Sequence, residues 1–180
     1  EPPPKPVAPH GRRALAAHAH FRATPVGRER FPGLLKALEG LPVGPRHVSV
    51  LAQKAGTRTP LHSDLQTHVL TCYVGLSGKP GVVVDGADRV LNPGDAVVVD
   101  GAFRHATFAS GEDDAFLLAV DFWHPDLTPP EIGALEAFFK LDEQFVLRRS
   151  CDREVVDALQ AADRGLELLA SGAVDLRSTA

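Results

Sequence analysis

From His47 to Trp123 the chain is a series of short apolar, β-branched runs, each cut off by residues that turn a backbone. The runs are HVSVLAQ from His47, THVLTCYVGL from Thr67, GVVVDG from Gly81, DAVVVDG from Asp95 and AFLLAVDFW from Ala115. Between them stand SGKPG from Ser77, NPGD from Asn92 and SGEDD from Ser110, where proline, glycine and aspartate supply tight-turn geometry. Helical periodicity is absent across this region. Short strands separated at this spacing specify a sandwich or barrel and exclude a long helical bundle.

The flanks differ. Glu1 to Pro9, EPPPKPVAP, reads as an extended lead-in, because proline has no N–H to give to regular structure. Arg12–His20 and Phe31–Leu41 are expected to be short helices, the second carrying Leu34, Leu35 and Leu38 on one face. Thr128-Pro129-Pro130-Glu131 has the form of a helix start with a capping box. Val155, Leu159, Ala162, Leu166 and Leu169 then mark one face of a further helix. The expected organisation is a single domain: lead-in and helices over 1–46, a β core over 47–130, and C-terminal helices over 131–180.

One hundred and eighty residues with 44% hydrophobic and 23% charged side chains suffice for one real core. A net charge of −4 argues against a general nucleic-acid binder, and no apolar run reaches the length of a membrane helix. Two cysteines, Cys72 and Cys151, suit a reducing cytoplasm, and no secretory signal is expected. With no methionine present, the numbering is expected to start inside a longer chain.

The chemistry concentrates in Thr59-Pro60-Leu61-His62-Ser63-Asp64. His62 and Asp64 are two apart, so an extended backbone points both to one side. With His105, which opens the run HATFA, they form a candidate 2-His-1-carboxylate set, the ligand combination that leaves positions open on non-haem Fe(II). On spacing alone a second reading stands beside it: a polar strand edge with a hydrogen-bonded core histidine. A Ser/His/Asp nucleophile is excluded, since Ser63 and His62 point to opposite faces. His10, His18 and His20 read as ordinary surface residues.

Gly56 to Glu131 resembles the aspartyl/asparaginyl β-hydroxylases, which are Fe(II)- and 2-oxoglutarate-dependent oxygenases. Ala55-Gly56-Thr57 is similar to the family's P-G-T, and Gly75-Leu76 to the end of its H-L-G-L strand. Val99-Asp100-Gly101-Ala102-Phe103-Arg104-His105 is similar to F-D-x-x-F-x-H, and Val120 to Pro129 to V-D-x-W-H-P-x-L-T-P. The resemblance implies a mainly β, double-stranded β-helix (jelly-roll, cupin-like) with flanking N- and C-terminal helices. It implies metal ligands at His62 and His105, and an enzyme hydroxylating a C–H bond of a small amino-acid-like or peptidyl substrate with molecular oxygen. The best-known animal members have glycine at the position of Asp64, whereas Asp64 supplies the full triad of the wider superfamily and disfavours a halogenase.

The family's arginine for the far carboxylate of 2-oxoglutarate falls near Ala115, and its Arg-x-His pair falls on Thr71 and Tyr73. A carboxylate removed from water needs a cation or several donors. The replacements available are Arg58, Lys54, His68 and Arg104. Arg58 shares parity with His62 if the segment is extended, and is the leading candidate. Two alternatives follow: an iron oxidase that draws electrons from its substrate without 2-oxoglutarate, and a cupin-like binding protein without chemistry. His124, in the W-H-P turn, reads as structural.

Overall fold

A computed structural model describes residues 11–19, 21–41, 43–64 and 66–149, the side chains of 44–47 and 141–149 excepted. In chain order these form β1 (Arg12–Ala19), β2 (Arg22–Ala23), α1 (Pro25–Arg30), α2 (Pro32–Leu38) and β3 (Val43–Gln53). There follow β4 (Val69–Ser77), β5 (Pro80–Val84), β6 (Ala87–Val90), β7 (Ala96–Asp100), β8 (His105–Ala109), β9 (Ala115–Trp123) and α3 (Pro129–Arg149). A six-stranded sheet has the order β2-β1-β3-β9-β4-β7, and a three-stranded sheet the order β6-β5-β8. Every strand pairing is antiparallel. The fold is mainly β, two antiparallel sheets facing one another, with a few helices.

Strand alternation builds the core. On β4, Val69, Thr71, Tyr73 and Gly75 are buried and the residues between them less so; on β9 the same holds for Ala115, Leu117, Ala119, Asp121 and Trp123. Tyr73, Leu117, Ala119, Leu51 and Val99 of the large sheet pack with Val82 of the small sheet and Leu91 in one cluster. The sheets therefore share one interior, to which alternate residues of each strand are committed. A second small cluster, Val83, Ala106 and Phe108, occupies the other face of the small sheet.

Arg12–His20 is not a helix. Residues 12–19 are β1, paired with β3 from Arg12 opposite Gln53 to Ala19 opposite His47. The alanines that favour a helix locally are overruled by the edge of a sheet that needs a partner. They also keep the strand thin: Ala17 is fully buried, and α1 lies so close that a Cβ on Gly27 would collide with the Ala17 carbonyl. Residues 11–46 thus contribute β1, β2 and the start of β3 to the main sheet as well as α1 and α2. The helix expected near Phe31–Leu41 is present as α2.

β6 was not among the expected strands. Its residues are exposed throughout, so the chain carries no alternation there, but Asp85 and Gly86, with φ of 47° and 86°, form the tight turn that pairs it with β5. At α3 the capping box forms: the Thr128 N–H donates to Glu131 Oε2 at 2.8 Å and the Thr128 hydroxyl at 2.7 Å. Those two bonds hold the Glu131 carboxyl below its ordinary range. The helix expected over Val155 to Leu169, and His10, His20 and Cys151, lie outside the described residues. No helix among the described residues is long and apolar enough to cross a membrane.

Gly27→Ala is expected to lower stability by about 1–3 kcal/mol through overpacking of α1 against β1, read from the midpoint of urea unfolding.

Candidate metal centre

Residues 57–64 run antiparallel to β8 and set the site. The Ala109 N–H donates to Thr57 O at 3.0 Å and the Thr59 N–H to Thr107 O at 2.9 Å. Further along, His62 and His105 exchange backbone hydrogen bonds of 3.1 and 2.8 Å, and the Asp64 N–H reaches Gly101 O at 2.6 Å. Arg58 stands opposite Phe108 and His62 opposite His105. Four steps on one strand therefore match three on the other. The extra residue falls at Pro60-Leu61, where proline has no N–H for the ladder.

This register brings the two histidines together, with ring centroids 4.5 Å apart and planes at 48°. Asp64, two residues on, joins them: one ligand atom from each of His62, Asp64 and His105 lies within 4.8 Å of the others. His105 is buried, Asp64 half-buried and His62 exposed, so the group opens to solvent on the side of His62.

Both imidazoles are oriented from behind. His62 Nδ1 lies 2.8 Å from the Pro60 carbonyl oxygen, and His105 Nδ1 3.0 Å from that of Phe103. A carbonyl only accepts, so each Nδ1 donates its proton, which leaves Nε2 as the nitrogen a neutral ring offers a metal. Two imidazoles so oriented and one carboxylate are a donor set that fits a divalent transition metal.

The remaining candidates separate by face. On β8, His105 and Thr107 face the interior, while Ala106 and Phe108 face outward. Arg58, opposite Phe108, is therefore on the outer face. Its guanidinium lies 5.3 Å from the Phe108 ring centroid and 3.3 Å from the Asp88 carboxylate, an exposed pair. The expected shared parity of Arg58 and His62 is overturned by the one-residue slip at Pro60-Leu61. Lys54 is exposed at the end of β3, beside the start of β9 and away from Asp121 and Trp123. Arg104 is exposed and uses its carbonyl to accept from the Asp85 N–H.

His68 packs against Trp123 and Phe139, with centroids at 6.1 and 5.4 Å, in the aromatic group that seats α3. His124 caps its turn, its Nδ1 accepting from the Asp126 N–H at 3.2 Å. Thr71 and Tyr73 do face the interior from β4, and Ala115 faces it from the start of β9. Asp121 is not among the expected site residues. It is 1% exposed and accepts a 2.7 Å hydrogen bond from the Thr71 hydroxyl directly across the sheet. Its signal was available, since it shares parity with Leu117, Ala119 and Trp123 on an alternating strand.

The model of the aspartyl/asparaginyl β-hydroxylase family matches residues 15–125. The chain belongs to that family. Human aspartate β-hydroxylase domain-containing protein 1 is 30% identical over 160 residues, covering 78% of this chain and 40% of the relative. The Bos taurus protein of the same name is 29% identical over 160 residues, with 78% and 42% covered. The chain thus spans about two fifths of the length of the curated relatives it matches. Among solved structures, a Cupin_2 domain of an XRE family transcriptional regulator from Enterobacter cloacae aligns with a TM-score of 0.40. That alignment has 19% identity and covers 43% of this chain and 81% of the other. A Bacteroides fragilis cupin gives 0.40 at 24% identity, covering 46% and 69%. In this member of the family, β4 and β9 are neighbours in the large sheet and meet at Thr71 and Asp121.

Thr71→Val leaves the buried Asp121 carboxylate short of a donor. It is expected to cost about 1–3 kcal/mol in chemical denaturation, because the acceptor stays behind without that partner.

Proposed function

We propose that this β-hydroxylase is a non-haem Fe(II) oxygenase whose metal is held by His62, Asp64 and His105. One observation carries the reading: two imidazoles, each fixed at Nδ1 by a backbone carbonyl, converge with a carboxylate within 4.8 Å. Fe(II) bound there supplies the redox chemistry by which molecular oxygen is turned on a C–H bond. The chain's own residues do the rest. Pro60 and Phe103 fix the tautomers, Asp64 contributes negative charge, and the opening beside exposed His62 admits the reactants. Buried His105 stands at the inner, water-poor side of the group, towards the interior that Thr71 and Tyr73 also face. The substrate class is a small amino-acid-like or peptidyl molecule, by analogy with the family, and a reducing cytoplasm suits both Fe(II) and the two cysteines.

The cosubstrate is 2-oxoglutarate on the same analogy, although the Thr71 hydroxyl, which stands where the family carries a cation, already donates to Asp121. A second reading, an oxidase that takes its electrons from the substrate, is favoured by a specific observation. No inward-facing residue of β4, β8 or β9 is a lysine or arginine, and Arg58 is turned to the outer face.

Anaerobic Fe(II) titration followed by oxygenation with and without 2-oxoglutarate tests both. One succinate per product is expected, and product without succinate would promote the oxidase reading. Arg58→Ala is expected to leave the 2-oxoglutarate requirement unchanged. His62→Ala and His105→Ala should each weaken Fe(II) binding by more than the roughly 10–100-fold that follows loss of a supporting residue. Asp64→Ala should bind better than either yet turn over poorly. Wild-type protein that takes up no Fe(II) in anaerobic excess would sink the proposal and point to a binding protein.

A further inference from the structure

We infer that Gly101 is a positioning residue: its missing side chain makes the room that the Asp64 carboxylate occupies, and so decides whether the metal has three protein ligands or two. The inference rests on the metal-site reading above.

Gly101 directly follows β7 in the turn that leads to His105. That turn is closed by the Ala102 N–H on Asp100 Oδ1 at 2.9 Å and the Phe103 N–H on Asp100 O at 3.2 Å. Gly101 is buried, and its φ lies outside the left-handed region, so the backbone itself makes no demand for glycine. Space does. A Cβ on Gly101 would stand 2.8 Å from Asp64 Oδ2, 3.1 Å from Asp64 Cβ and 3.2 Å from Asp64 Cγ. All three contacts are to one side chain, and it is the carboxylate ligand.

Asp64 has little freedom to retreat as a whole, because its N–H is bonded to the Gly101 carbonyl at 2.6 Å. The accommodation available is rotation of the Asp64 side chain, which takes its oxygen out of the 4.8 Å group with His62 and His105. Such a rotation relieves the collision at some cost to the fold and costs the ligand set its only negative charge. Aspartate at 64 and glycine at 101 therefore form one unit: a residue with no atoms beyond Cβ at 64 has far less need of glycine at 101. If Gly101 served only the turn, alanine there would cost the same whatever stood at 64.

Co(II) titration of wild type, Gly101→Ala, Asp64→Ala and the double variant, with thermal midpoints of the metal-free proteins, separates these cases. Gly101→Ala should weaken Co(II) binding by on the order of tenfold or more and match Asp64→Ala in its visible spectrum. In the Asp64→Ala background it should add less than about twofold, and the midpoint lost in Gly101→Ala should be recovered. Equal losses of affinity and midpoint in both backgrounds, or Co(II) binding by Gly101→Ala like that of wild type, would overturn the inference. If Gly101→Ala alone fails to fold, a folded double variant with the affinity of Asp64→Ala supports it and an unfolded one overturns it. Wild type that binds no Co(II) would strike the metal-site reading instead, while the recovery of the midpoint still tests the steric pairing.

Discussion

The register of residues 57–64 against β8 is the constraint on which the rest of the site depends. A side chain on a strand has only two faces to choose from, so a slip of one residue moves everything beyond it to the other face. The slip at Pro60-Leu61 leaves Arg58 beside Phe108 on the outside and sets His62 beside His105. Without it, Asp64 would not come to Gly101 and the three ligand atoms would not meet. Proline is well suited to the place, because it removes a ladder donor at the point where the ladder must lose step.

Much of this was legible in the chain. The strands from His47 to Trp123 show themselves because burial on one face forces alternation, as in Val69-Leu70-Thr71-Cys72-Tyr73, and because prolines and glycines punctuate them. His62, Asp64 and His105 stood out by residue type and by motif. β1 did not, since RRALAAHA is alanine-rich and only its pairing with β3 makes it a strand. β6 has no buried side to leave a pattern, and only Asp85-Gly86 betrays it. Parity misplaced Arg58 because parity counts residues, whereas a bulge is set by hydrogen bonds to a partner strand almost fifty residues away in sequence.

The interior repeats the lesson for polar groups. Asp121 and Thr71 are neighbours across the sheet though their numbers differ by 50, and their pairing turns a buried carboxylate into part of the fold. Where the family resemblance implied arginine and histidine, this chain carries Thr71 and Tyr73. The inner face of the large sheet is therefore mostly apolar, with Thr71 bonded to Asp121 where a cation was implied, and the demands it places on a bound molecule differ from those of a cationic wall.

The reciprocal backbone bonds between His62 and His105 carry one more implication. The two imidazoles are held at their separation by main-chain hydrogen bonding and by the Pro60 and Phe103 carbonyls, before any ion arrives. The entropy of gathering them is thus met when the chain folds. A metal held as proposed would then find its two imidazoles already gathered, and its affinity would owe little to any ordering of the chain around it.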